Sequence, residues 1–105
     1  MVEIREEKDG FCFVVRSRQG ASLLRSVAFN SREDLAVCMR QLREQLGNPA
    51  CFERRTNHRG AFQFSLKNPR GRVLGHSALY HSEAGMENGI KYTLSALSEG
   101  ALPQP

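Results

Sequence analysis

The chain has 105 residues, of which 40% are apolar and 25% charged, and its formal net charge at pH 7 is +4. This usage is typical of a globular chain and excludes a disordered or fibrous protein. No apolar run approaches the ~20 residues that cross a bilayer, and the charged residues 1–7 do not form the apolar stretch of a signal peptide. We therefore expect a cytoplasmic protein with no membrane partner.

The first half of the chain predicts three strands, near residues 2–6, 11–16 and 21–26. In the second strand Phe11, Phe13 and Val15 alternate with other residues, so their side chains fall on one face. Gly20 is free to adopt the positive φ that a tight turn requires. The short connection makes the second and third strands an antiparallel hairpin.

A helix is predicted after Ser31, whose hydroxyl can accept a hydrogen bond from an unpaired N–H of the first turn. The sequence Gly-Asn-Pro at 47–49 ends this helix. Its apolar residues follow helical spacing and define the face expected to point inward: Leu35, Cys38, Met39, Leu42 and Leu46.

The same order of elements returns 51 residues later. At this offset seven of the 36 residues in positions 11–46 are identical, where composition alone gives about two. The second half therefore predicts strands near 50–55, 62–67 and 72–77 and a helix after Ser82. Its expected inward positions are Met86, Gly89, Ile90, Thr93 and Leu97.

These elements predict an α+β fold in which two tandem β-β-β-α repeats merge into one antiparallel sheet, with both helices packed on one face. We expect a single domain over 1–105, with repeat one at about 2–48 and repeat two at about 50–97. Residues 98–105 are interpreted as a flexible tail. One repeat of about 50 residues is only marginally stable by itself. Because the second repeat supplies the partner that the first needs, we expect a monomer.

The twice-written pattern F-x-F-x-aliphatic-K/R, followed by Gly, Leu-x-x-Ser, aromatic-x-Ser and a helix, resembles the YegP-like family of small bacterial proteins. The match is best over residues 62–90, whereas the first repeat has Phe29 in place of tyrosine and Cys38-Met39 in place of glycine-isoleucine. The resemblance implies one antiparallel sheet built from β(3)-α units, with the terminal strand of one unit exchanged onto the other. It also implies that a two-copy chain is similar to a fused dimer, and it carries no catalytic residues.

The candidate catalytic or metal-binding residues are few. The cysteines, Cys12, Cys38 and Cys51, are too far apart for a zinc motif and are interpreted as free thiols. The histidines, His58, His76 and His81, match no metal-ligand spacing and are interpreted as surface or capping residues. We therefore expect no enzymatic activity, no cofactor and no metal.

The basic residues give the first functional hypothesis. Cations are expected to gather at the ends of the two hairpins, where they could contact the phosphates of a nucleic acid: Arg16, Arg18, Arg25, Lys67, Arg70 and Arg72. A solvated basic surface is the alternative. Single-strand binders also need aromatic stacking platforms, and here the phenylalanines are expected in the core.

The second hypothesis is a protein-interaction module. On the expected uncovered face of the sheet, Cys12, Val14 and Leu24 would form a small apolar patch for an unknown protein partner. Ser26 and Ser77, which occupy equivalent positions, are interpreted as structural hydroxyls that satisfy backbone groups. A non-catalytic interaction or accessory module is the leading interpretation, and weak nucleic-acid binding through the basic surface is the alternative.

Overall fold

The computed structural model describes residues 1–99, which form six strands and two helices. A short 3-10 turn, Pro49–Cys51, precedes the fourth strand. The elements in chain order are β1 (Val2–Glu7), β2 (Gly10–Arg16), β3 (Ser22–Ser26), α1 (Arg32–Gln45), β4 (Phe52–Thr56), β5 (Phe62–Lys67), β6 (Val73–Ser77) and α2 (Glu83–Glu99).

The six strands form one antiparallel sheet in the order β1-β2-β3-β6-β5-β4. The α+β class is therefore confirmed, with a β-β-β-α unit on each side of the β3–β6 pair. The strand exchange implied by the family resemblance is wrong, because each unit keeps its own three strands side by side. The cause is local: short turns connect β1 to β2 and β4 to β5, so each strand pairs with its neighbour in sequence.

The two units are built with the same local contacts. Ser31 caps α1 by accepting a hydrogen bond from the Asp34 amide at 3.1 Å, and Ser82 caps α2 through the Gly85 amide at 2.9 Å. At the ends of β3 and β6, the hydroxyls of Ser26 and Ser77 accept hydrogen bonds from strand amides across the hairpin at 2.8 and 2.9 Å. The structural interpretation of these two serines is confirmed.

The core lies between the sheet and the helices, which pack on one face of it. Phe13 and Phe64, on equivalent central strands, are fully buried there. From α1 the expected inward residues are buried except Cys38, which is only half-buried, and Ala36 joins them. The expected inward residues of α2 are all buried.

Two boundaries differ from the sequence prediction. The strand expected from residue 50 begins at Phe52, because Ala50 and Cys51 belong to the 3-10 turn. Helix α2 extends through Glu99, two residues into the segment interpreted as a tail, and the rest of that segment, 100–105, lies outside the described residues. Within residues 1–99 no helix has the length and apolarity needed to cross a membrane.

Candidate binding site

The face of the sheet opposite the helices, here called the open face, carries a row of side chains that crosses all six strands. The strand register aligns them one to one, from the β1 edge to the β4 edge. The row is Glu3, Val14, Arg25, His76, Ser65 and Glu53.

Three of the six candidate anion-binding cations are paired with carboxylates on this face. The Arg16 Nε lies 3.2 Å from a Glu3 carboxylate oxygen, and the Lys67 Nζ lies 2.5 Å from Glu53. Arg25 forms an ion pair with Glu7 on β1. The hydrogen bond from Lys67 holds the pKa of Glu53 below its ordinary value. Paired cations of this kind attract an external phosphate less strongly than free ones.

The other three candidate cations lie in the hairpin turns. Arg18, in the Ser17–Ala21 turn, and Arg70 and Arg72, in the Asn68–Arg72 turn, are exposed and form no ion pair within residues 1–99. Because β3 and β6 are antiparallel neighbours, the turns that precede them lie at opposite ends of the sheet. The six candidate cations therefore do not form one cluster. Arg18 lies at one end of the sheet, Arg70 and Arg72 lie at the other, and Arg25 lies in mid-sheet.

The expected apolar patch is not exposed. Leu24 is 1% exposed and belongs to the core, because a register shift between Val15 and Arg16 pairs it with Val15 on the helix-facing side. Cys12 and Val14 do point to the open face, yet they are only 3% and 2% exposed. Charged residues stand beside them in register: Arg5 of β1 beside Cys12, and Glu3 of β1 and Arg25 of β3 beside Val14.

The histidines and cysteines do not converge. His76 Nδ1 lies 3.1 Å from the Ser65 hydroxyl, a contact that the sequence could not predict without the β5–β6 register. His58 and His81 are exposed on loops. Across the described residues no three His, Cys, Asp or Glu side chains could hold a metal ion together.

A groove, here called the turn groove, separates α1 from the Asn68–Arg72 turn. It consists of two adjoining cavities of about 480 and 350 Å³ that share four lining residues. The buried side chains of Leu42 and Leu74 form its apolar floor, and the half-buried Cys38 lines both cavities. Burial raises the pKa of the Cys38 thiol, and Arg72 partly offsets this rise. The thiol is therefore neutral at pH 7 and belongs to the apolar lining.

The two walls of the turn groove carry opposite charges. Arg70 and Arg72 lie on the turn wall, whereas Asp34 and Glu44 lie towards the two ends of the helix wall. The turn holds its own backbone without help from either arginine side chain. The Asn68 side-chain oxygen accepts hydrogen bonds from the backbone amides of Arg70 and Arg72, at 3.0 and 2.9 Å. The two guanidinium groups are thus available to an occupant of the groove.

The equivalent corner of the second unit is filled. A Cβ atom on Gly89 would lie 2.3 Å from the Tyr80 hydroxyl oxygen, so the ring occupies the space that glycine leaves beside α2. Burial raises the pKa of Tyr80. In the first unit Phe29 and Cys38 take these two positions, and both line the groove.

Comparison with known proteins finds no family model that matches the chain. Among solved structures, the UPF0339 protein SO3888 of Shewanella oneidensis superposes with a TM-score of 0.85 at 20% identity, covering 95% of this chain and 86% of that one. The yegP protein of Escherichia coli gives a TM-score of 0.81 at 24% identity, covering 96% and 87%. These two likenesses establish the fold.

Sequence relatives agree with the structures. The UPF0339 protein PA0329 of Pseudomonas aeruginosa is 29% identical over 100 residues, which are 94% of this chain and 91% of that protein. The UPF0339 protein YegP of E. coli is 26% identical over 89 residues, or 84% and 81%. The chain is similar to the UPF0339 (YegP) proteins. The E. coli structure is that of a protein of unknown function.

The turn groove is the site that sequence reasoning missed. Its signal was the departure of the first repeat from the family pattern, where Phe29 and Cys38 replace tyrosine and glycine. Both departures line the same cavity. The sequence alone does not show that these two residues are close in space, because their proximity depends on how the aromatic residue is placed against the helix.

Proposed function

We propose that this YegP-like chain is a non-catalytic cytoplasmic interaction module that binds a partner protein in the turn groove. One observation carries the proposal: an apolar floor formed by Leu42 and Leu74 lies beside two exposed arginines that have no carboxylate partner in residues 1–99. Binding sites commonly combine an apolar floor with a few polar groups that set orientation.

The distribution of cations and aromatic rings favours a protein over a nucleic acid. Half of the candidate cations are paired, and the rest are divided between opposite ends of the sheet. All six phenylalanines lie in the core or pack against it, so they offer no stacking platform to bases. Nucleic-acid binding stays an alternative that the experiment below separates from protein binding.

The state of the cysteines supports the cytoplasm as the compartment. Cys12, Cys38 and Cys51 are all free, and burial raises the pKa of each thiol. Unpaired thiols are typical of proteins that fold in a reducing compartment.

The test places a photo-crosslinking amino acid at Gln41, an exposed residue on the helix wall of the groove. The matched control places it at Arg40, the adjacent residue of α1, which is exposed and does not line the groove. We expect irradiation in the native cell to give a discrete protein adduct from position 41 only. The adduct should resist nuclease and disappear in the Phe29→Tyr/Cys38→Gly variant, which rebuilds the filled corner of the second unit.

Two results would overturn the proposal. One is an equal adduct pattern from positions 40 and 41, because the groove would then have no special role. The other is a nuclease-sensitive adduct, which would establish the nucleic-acid alternative.

A further inference from the structure

The length of the turn groove suits a short extended segment. Its helix wall runs from Asp34 to Gln45, a rise of about 16 Å at ~1.5 Å per residue. An extended chain advances ~3.3 Å per residue, so about five residues match this wall. The groove lies between a helix and a turn, and any segment that enters it contacts both.

The floor of the groove accepts an apolar side chain. Leu42 and Leu74 are 2% and 4% exposed, and the neutral Cys38 thiol lies beside them. An apolar side chain placed there leaves water for an apolar surface, which favours binding in proportion to the apolar area that is buried.

The charges of the two walls select the polar side chains of the segment. On the turn wall, Arg70 and Arg72 attract carboxylates. Their backbone amides are already bonded to Asn68, so this attraction comes from the guanidinium groups alone. On the helix wall, Asp34 and Glu44 repel carboxylates. Successive side chains of an extended segment point to opposite sides. A segment can therefore direct its carboxylates to the arginines of the turn wall without placing them against the acidic residues of the helix wall.

We propose that the turn groove binds an acidic extended segment of a partner protein, with carboxylates at alternate positions facing Arg70 and Arg72 and an apolar side chain on the floor. This inference rests on the proposed function and specifies its partner. It applies to the groove beside α1 alone, because Tyr80 fills the equivalent corner beside Gly89 of α2.

The test uses fluorescein-labelled six-residue peptides in which leucine alternates with one polar residue: glutamate, glutamine or lysine. Binding is measured by fluorescence anisotropy at low and moderate salt, and the site is mapped by amide chemical shifts. We expect the glutamate peptide alone to bind, with the largest shifts in α1 and the Asn68–Arg72 turn, and to bind more weakly as salt rises.

Two double variants with the same change of net charge identify the arginines involved. The Arg70→Gln/Arg72→Gln variant removes the groove pair. The Arg18→Gln/Arg59→Gln variant removes two exposed arginines from turns at the opposite end of the sheet. We expect the first to raise the Kd for the glutamate peptide at least tenfold and the second to leave it within twofold. None of the four residues forms an ion pair in residues 1–99, so the fold should be retained.

The outcomes separate this inference from the proposed function. If the glutamine peptide binds the groove as tightly as the glutamate peptide, the acidic specificity is wrong while a protein-binding groove stands. If both double variants weaken binding equally, the attraction is only net charge and the inference is overturned. If no peptide binds and position 41 gives no protein adduct, both fail.

Discussion

At the residue scale, the two units differ at one corner, where the second unit has Tyr80 and Gly89 and the first has Phe29 and Cys38. The Tyr80 hydroxyl is buried and has no hydrogen-bond partner in the described part of the chain, and it occupies the space above Gly89. A buried hydroxyl without a partner costs free energy, and glycine inside a helix costs about 1 kcal/mol relative to alanine. The second unit carries both costs, and Phe29 with Cys38 avoids them in the first.

This arrangement predicts a non-additive double variant. Gly89→Ala should destabilise the protein, because its Cβ meets the Tyr80 hydroxyl. Tyr80→Phe should be neutral or stabilising, since it removes the unpartnered hydroxyl. The double variant should recover only part of the loss, because the Cζ ring carbon of residue 80 would still lie 2.7 Å from the new Cβ. Urea unfolding of the four proteins measures the coupling, and additive effects would show that the two residues do not compete for space.

Substitution of Phe13 or Phe64 tests the core that the two units share. Each is fully buried at the same position of its unit. Phe13→Ala and Phe64→Ala should each lower the free energy of unfolding by about 3–5 kcal/mol, the usual cost of emptying an aromatic core site. Chemical denaturation measures both losses. Val37→Ala, an exposed apolar change on α1, is the control and should have little effect.

At the scale of elements, helix α2 is fastened to the sheet edge by a charged contact. The Arg54 Nε on β4 lies 2.8 Å from both carboxylate oxygens of Glu87. The hydrogen bond from Arg54 holds the pKa of Glu87 below its ordinary value of 4.5. A carboxyl group whose pKa is lowered by folding stabilises the protein above that ordinary value and loses the contribution as the pH falls.

Glu87→Gln should therefore destabilise the protein at pH 7 by ~0–1 kcal/mol, the range for exposed ion pairs. The difference from the wild type should shrink as the pH falls from 7 to about 3, because the carboxyl group becomes protonated first in the unfolded and then in the folded state. Unfolding curves at the two pH values make the comparison. Glu44, which forms no ion pair within residues 1–99, is the control: Glu44→Gln removes the same charge and should show no such pH dependence.

Elements were easier to predict than their surroundings. Helix caps at Ser31 and Ser82 and the period-two faces of β2 and β5 depend on neighbours in sequence, and the structure confirms them. Side-chain exposure depends on partners far away in sequence. Val14 points away from the helices as expected, but β1 and β3 enclose it. Leu24 changed faces because a one-residue register shift cannot be predicted from alternation alone.

At the scale of the whole molecule, the β3–β6 pair joins the two units. Three register pairs form this seam, and backbone hydrogen bonds at Val27 and Ala78 extend it. The helices add a further link, from the Arg43 guanidinium to the Ser98 carbonyl at 2.6 Å. Each unit thus covers the strand that the other would leave unpaired.

We predict a monomer in dilute solution for this reason. Sedimentation equilibrium over a wide range of concentrations should give the mass of one chain throughout. A dimer mass that persists on dilution would show that the edge strands β1 and β4, or the open face, have a further partner.

Gly75 makes the β3–β6 seam specific for two different units. It stands where the first unit has Leu24, and a Cβ atom there would lie 2.8 Å from the Arg25 carbonyl oxygen and 3.2 Å from a Leu24 methyl carbon. Two copies of the first half would bring a second leucine into that space. If the chain is cut within residues 47–49, fragment 1–47 should consequently reject itself and recombine with its complement. Mixing separately labelled fragments would measure this preference, and Gly75→Leu should abolish it.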